Sequence, residues 1–166
     1  MAAATLAEAL KQTRPFASRE EEVVLALQHL AARVTEPWAL FLKATAQLTV
    51  SQYNVLRILR GAHPSRLTCG EISQRMVARD PDVTRLVDRL EARGLVDRAR
   101  DTRDRRVVGV GITRAGLAVL KQLDPAVERY PRAMLSRLGP RRVEQLAVLL
   151  RAVLSSLGTF PETDQR

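Results

Sequence analysis

The sequence predicts a mainly α fold with one small β-hairpin, and three observations over residues 68 to 113 predict it. Two short helical patterns follow one another there and are closed by Gly94. A Leu95-Val96 strand start comes next. An arginine-rich turn, Asp101-Thr102-Arg103-Asp104-Arg105-Arg106, then leads into a second strand. Helix, helix, strand, charged turn, strand is the order of a winged helix-turn-helix lobe with the hairpin as its wing. The expected organisation is one domain over 1–166. The lobe lies at about 48–113, and helices at about 18–46 and 114–158 flank it.

The elements follow from local chemistry. Residues 1 to 17 read as an Ala-rich arm that stops at Pro15. Ser18 followed by Glu21 has capping-box spacing, in which a hydroxyl and a carboxylate satisfy backbone N–H groups that a helix start leaves free. Val23, Leu27, Leu30, Ala31 and Val34 then recur at helical spacing, and Trp38, Phe41 and Leu42 carry the stripe past Pro37. One long kinked helix and two helices meeting at Pro37 both fit that pattern. Thr49 and Gln52 repeat the box ahead of Val55, Leu56 and Leu59, with a stop at Gly61. Thr68 caps a third helix with Ile72 and Met76 inward. Asp80-Pro81 reads as an N-cap followed by proline at the first helical position, and Gly94 as a left-handed stop.

Leu95 to Arg98 is a short strand and Val107 to Thr113 its partner, with Val108, Val110 and Ile112 expected inward. Gly109 and Gly111 in that strand suggest a mobile wing. Thr113 caps a long helix through Leu117, Leu120, Leu123 and Val127, with kinks expected at Pro125 and Pro131. Pro140 starts the last helix, where Val143, Leu146, Leu150, Val153, Leu154 and Leu157 form an apolar stripe. The terminal helices are expected to pack on one another.

Composition narrows the function. With 166 residues, 46% of them hydrophobic, the chain can bury about two thirds of the surface its unfolded form exposes. Cys69 is the only cysteine, so no internal disulfide forms, which fits a reducing compartment. Met1 to Leu10 carries no early positive charge and is interrupted by Glu8, unlike a secretory signal. The apolar stretch around Leu146 to Leu154 is broken by Arg151 and too short for a bilayer. A cytoplasmic location with no membrane partner is expected. Lys and Arg total 27 against 18 acidic residues, a formal charge of +9 that suits nucleic acid. Only Lys11, Lys43 and Lys121 are lysines, a ratio that either a GC-rich genome or phosphate contacts explain.

Residues 81 to 93 fit a major groove about 12 Å wide, which admits an amphipathic helix anchored by its apolar side. With Val83, Leu86, Val87 and Leu90 inward, Arg85, Asp88 and Ala92 point away, and Thr84 and Arg89 flank them. Arg85 is the first choice for a base or phosphate contact. Arg98, Arg100, Arg103, Arg105 and Arg106 crowd the hairpin, whose tip suits the adjacent minor groove. Asp101 and Asp104 can orient particular arginines by bidentate pairing.

Leu67-Thr68 through Ile72, Val83-Thr84-Arg85-Leu86-Val87-Asp88-Arg89-Leu90-Glu91 with Gly94-Leu95-Val96, and the wing Asp101-x-Arg103-Asp104-x-Arg106 together resemble the MarR family of bacterial transcriptional regulators. The resemblance covers about residues 18 to 157. It implies a homodimer held by the first, fifth and sixth helices, reading a palindromic operator in double-stranded DNA. It places Thr84 and Arg85 in the major groove, Arg103 or Arg105 in the minor groove, and Thr68 on phosphate. Arg89 and Arg106 either join these contacts or pair with the wing aspartates. Pro81 and Asp82 depart from the small hydroxyl residues frequent in the family, and Asp82 either accepts from cytosine N4 or repels phosphate. The uncovered stripe of the last helix also argues for two-fold pairing, with half-sites roughly 34 Å apart.

A repressor released by a small aromatic or phenolic effector is the functional expectation. Trp38, Phe41 and Tyr53 either line the effector cleft, as the resemblance suggests, or belong to the core. Cys69 in a first helical turn raises a redox role against that of an inert buried thiol. His29 and His63 lie far apart without ligand spacing, so neither metal nor cofactor is expected. With no phosphate-binding glycine loop or nucleophile elbow, an enzyme is not expected. A winged-helix protein-interaction module and a non-specific architectural DNA-binding protein are the rival readings.

Overall fold

Ser18, Thr49 and Thr68 each cap a helix in the computed structural model, which describes residues 5–78, 80–100, 104 and 106–157. The elements are α1 (Leu6–Ala9), α2 (Arg19–Ala46), α3 (Val50–Ala62), α4 (Cys69–Arg75) and α5 (Val83–Ala92). Strands β1 (Val96–Arg100) and β2 (Val108–Ile112), then α6 (Arg114–Leu135) and α7 (Gly139–Ser156), complete the order, with a 3₁₀ turn at Ser136–Leu138. Two compact units emerge, Met1–Leu120 and Lys121–Arg166.

Within the first unit, α2 resolves the Pro37 alternative as one helix that contains the proline. The short α1 lies where only an arm was expected. Its reciprocal cap, with Thr5 N–H donating to Glu8 at 2.7 Å, explains why the Ala-rich segment turns there. The start of α5 corrects the sequence reading. Asp82, not Asp80, is the N-cap and accepts the Arg85 N–H at 3.1 Å. Asp80 instead accepts the Asp82 N–H at 3.0 Å, so Pro81 sits in a side-chain-closed turn ahead of the helix.

The end of α5 is as expected. Gly94 has φ +68°, its N–H reaches Glu91 O at 2.8 Å, and Leu95 N–H reaches Leu90 O at 3.0 Å. That pair is a Schellman closure, and it turns the chain directly into β1.

Helix α3 is the hub, touching α2, α4, α5 and β2. Val55, Leu56 and Leu59 are buried, as are Leu48, Ile72, Val87, Leu90, Val96 and Val110 around them. Two polar residues, Gln52 and Asn54, join this core. Asn54 is buried and its Oδ1 accepts the Val77 N–H at 2.8 Å, pinning the turn between α4 and α5 to the hub.

β1 and β2 pair antiparallel, Val96 opposite Ile112 and Arg100 opposite Val108. Leu67 adds a third strand position by exchanging backbone bonds of 3.0 and 2.8 Å with Val110. Val110 and Ile112 face inward as expected, but Val108 does not. It is 42% exposed because it pairs with Arg100 at the outer end of the hairpin, past the covering helices.

Gly109 and Gly111 serve close approach. A Cβ at Gly109 stands 2.8 Å from Arg66 Cβ, and one at Gly111 stands 3.0 Å from Arg66 Nη1. The glycines thus admit Arg66, which donates to Asp97 O at 3.0 Å and to the Asp97 carboxylate at 2.5 Å. Thr113 then caps α6, accepting the Gly116 N–H at 3.1 Å while donating to Gly94 O at 2.7 Å.

In the second unit, α6 continues through Pro125 and Pro131 to Leu135, and Pro140 lies in the first turn of α7. No described residue of α7 is buried, and Leu154 is 72% exposed. No helix among the described residues is long and apolar enough to cross a membrane.

Two glycines should respond oppositely to alanine. At Gly116 the new Cβ meets Leu95 O at 2.3 Å, so Gly116→Ala is expected to destabilise by about 1 to 3 kcal/mol. Gly61 lies within α3 with open space around it, so Gly61→Ala should be neutral or stabilise by up to about 1 kcal/mol. Urea unfolding measures both.

The cap of α4 gives a pH prediction. The Thr68 backbone N–H, and then its hydroxyl, hold the Glu71 carboxyl below the usual range. The carboxylate's contribution is therefore complete above the ordinary glutamate pKa and lost as pH falls through the lowered one. Carboxyl NMR titration should show Glu71 depressed in the parent and moved back upward in Thr68→Ala.

Candidate nucleic-acid interface

Helices α4 and α5 pack together, and α5 turns Val83, Leu86, Val87 and Leu90 into the core. The spacing leaves Thr84, Arg85, Asp88 and Arg89 exposed on the opposite side, where the sequence places them. Their chemistry differs from one to the next.

Arg85 is tethered at its base, with Nε 3.0 Å from Asp82 Oδ2 and 76% of its side chain exposed. Arg89, one turn on, is exposed and forms no ion pair among the described residues. Asp88 is engaged elsewhere. Its Oδ1 accepts from Arg98 Nη2 at 2.6 Å, while Arg98 Nη1 reaches Glu91 Oε2 at 2.5 Å. The Arg98 N–H also donates to Glu91 Oε1 at 3.1 Å, so a residue of β1 grips two successive turns of α5. Burial works against the Arg98 charge, but the hydrogen bonds it donates to Asp88 and Glu91 outweigh it and raise the pKa. The helix and the wing root are consequently one charged joint.

Thr68 lies on the edge of the lobe with its hydroxyl occupied. It donates to Glu71 Oε2 at 2.9 Å and accepts the Glu71 N–H at 3.2 Å. On the wing, Asp104 accepts the backbone N–H of Arg106 at 2.9 Å. Asp101, Arg103 and Arg105 lie outside the described residues.

At the other end of α5, Arg93 donates from Nη1 to Gln47 O and from Nη2 to Ala46 O, both at 2.8 Å. Those carbonyls close α2, where a helix end leaves acceptors without partners. Sequence reasoning passed over Arg93, Arg66 and Asn54, and counted Arg98 among the hairpin arginines without its partners on α5. The available signal was position: Arg93 sits at a helix C-terminus, and Arg98 follows Glu91 across a tight turn.

The aromatic residues do meet where α2 contacts α3. Trp38 stacks on Phe41 with centroids 5.3 Å apart and meets Tyr53 edge-on at 5.5 Å. Tyr53 is buried, while Trp38 and Phe41 are half-buried. A neighbouring hollow of about 550 Å³ is lined by Ala39, Lys43, Gln47, Leu48, Thr49 and Val50 rather than by these rings. Cys69 is a free, half-buried thiol at the start of α4.

Residues 48–108, which hold this geometry, match the model of the MarR family. The chain is 29% identical over 145 residues to the transcriptional repressor MdtR of Bacillus subtilis, covering 87% of this chain and 89% of that protein. Against the transcriptional regulator PapX of Escherichia coli it is 30% identical over 105 residues, which span 63% of this chain and 64% of PapX.

Among solved structures, a MarR transcription factor from Planctomyces limnophilus is 36% identical, with 83% and 99% of the two chains covered and a TM-score of 0.61. Sco3205 of Streptomyces coelicolor, a MarR family regulator solved in complex with DNA, is 25% identical at TM-score 0.74, covering 90% and 97%. A capped α5 joined to an arginine-bearing hairpin, matched in sequence and in fold, places this chain in the MarR family.

Proposed function

We propose that the chain is a dimeric, sequence-specific DNA-binding transcriptional regulator, a repressor released by a small aromatic or phenolic effector. One observation carries it: α5 presents Arg85 and Arg89 on an exposed face that the Arg98 joint holds in fixed relation to the hairpin root. The likeness to a regulator solved with DNA supports the same reading.

In this reading the lobe at about 48–113 contacts the operator. Thr84, Arg85 and Arg89 lie in the major groove, Arg103 or Arg105 reaches the minor groove, and Thr68 lies near phosphate. Asp82 belongs to the same face. Asp88, Asp101, Asp104 and Arg106 shape the joint and wing. Helices at about 18–46 and 114–158 make the homodimer, and the exposed Leu146, Leu149, Leu150 and Leu154 of α7 supply an apolar surface for it. Trp38, Phe41 and Tyr53 bound the effector site, and its occupation shifts the balance between dimer geometries. The protein acts in the cytoplasm and carries out no catalysis.

The test selects bound sequences from a random duplex pool and then titrates the winning palindrome and a scrambled duplex across a salt series. The palindrome should be preferred by about a thousandfold or more, and affinity should fall steeply with salt. Equal affinity for both duplexes would indicate an architectural protein. Indifference to DNA in dilute buffer would indicate an interaction module.

Arg98→Met offers a second measurement. It keeps the side chain's length but frees two carboxylates on α5, and operator affinity should drop on the order of tenfold with helix content unchanged.

A further inference from the structure

Asp82 uses one carboxylate twice. Its Oδ1 accepts the Arg85 backbone N–H at 3.1 Å and closes the helix cap. Its Oδ2 stands 3.0 Å from Arg85 Nε. A guanidinium carries five N–H donors in a rigid plane, one of them on Nε. Holding Nε fixes that plane relative to α5 and leaves both Nη groups for another partner. No second carboxylate pairs with Arg85 among the described residues, and the side chain is 76% exposed.

Two outward donors in a fixed plane match a base edge with two adjacent acceptors. In the major groove guanine offers them, as O6 and N7. A phosphate suits the arrangement less well, because the nearby carboxylate offsets the cation's charge and weakens a long-range pull while leaving hydrogen-bond geometry intact.

We propose that Asp82 is a positioning residue that presents Arg85 to a guanine in the major groove. Arg85 thereby becomes a specificity-determining contact rather than a phosphate clamp. The inference rests on the DNA-binding reading above and adds to it the identity of one base in each half-site. It also sets Asp82 apart from a direct reader of cytosine, since both of its oxygens already serve Arg85.

The experiment repeats the random-pool selection with the parent, Asp82→Asn, Arg85→Ala and the double variant. Asparagine is as good an N-cap as aspartate, so Asp82→Asn keeps the helix start and removes the charge. Both single variants should relax the same G·C pair in each half-site and weaken the preferred duplex about tenfold or more. The double variant should bind no more weakly than Arg85→Ala, because the brace has no function without the arginine. Scrambled duplex should bind Asp82→Asn as well as the parent or better.

Relaxation at different base pairs, or additive losses in the double variant, overturns the assignment while the regulator reading stands. So does an Asp82→Asn protein that selects the parental sequence unchanged. A parent that selects no sequence overturns the regulator reading and this assignment with it.

Discussion

The fork that Arg98 makes between Asp88 and Glu91 sets the geometry of α5 relative to the hairpin. A helix of ten residues held by one apolar stripe can roll about its axis, and a two-stranded hairpin is marginal alone. Joining them at three hydrogen bonds removes that freedom, because a planar guanidinium donates to two carboxylates only in a narrow range of orientations. The joint is three-quarters withdrawn from water on the arginine side, so it persists where a fully exposed pair would be screened. Helix α5 and the root of the wing are therefore held as one body.

Two further contacts extend that body in opposite directions. Arg66 lies across Gly109 and Gly111 to Asp97, tying the α3–α4 connection to the wing. Arg93 ties the end of α5 to the closing carbonyls of α2. The aromatic contact between α2 and α3 lies on that same helix, a few residues before its end. A rotation of α2 would be passed to α5 through two hydrogen bonds rather than through loose packing.

Much of this was legible beforehand, for reasons that differ by residue. Ser18, Thr49, Thr68 and Gly94 mark helix ends through bonds spanning three to five residues, and spacing along the chain encodes such bonds. Asp80 and Asp82 illustrate the limit. Both are capping residues two apart, and the choice fell to Asp82 because Asp80 closes a turn onto the Asp82 N–H. Asn54, Arg66 and Arg93, which were missed, and Arg98, whose partners were missed, act across 7 to 47 positions, and no local pattern reports which distant carbonyl or carboxylate a side chain will meet. Gly109 and Gly111 were ambiguous for the same reason. Glycine in a strand signals either looseness or close approach, and only the position of Arg66 decides between them.

The excess of arginine over lysine takes on a third meaning here. Arg66, Arg93 and Arg98 each use two nitrogens of one guanidinium on two acceptors, which a lysine point charge cannot reproduce. The acidic residues that break up the basic surface are drawn into the same scheme. Asp88 and Glu91 face Arg98, Asp97 faces Arg66, and Asp82 faces Arg85. Left unpaired beside a phosphate backbone, those carboxylates would oppose binding. Paired, they spend their charge on orienting cations, so net charge alone understates how the surface is organised and the identity of each partner matters more than the total.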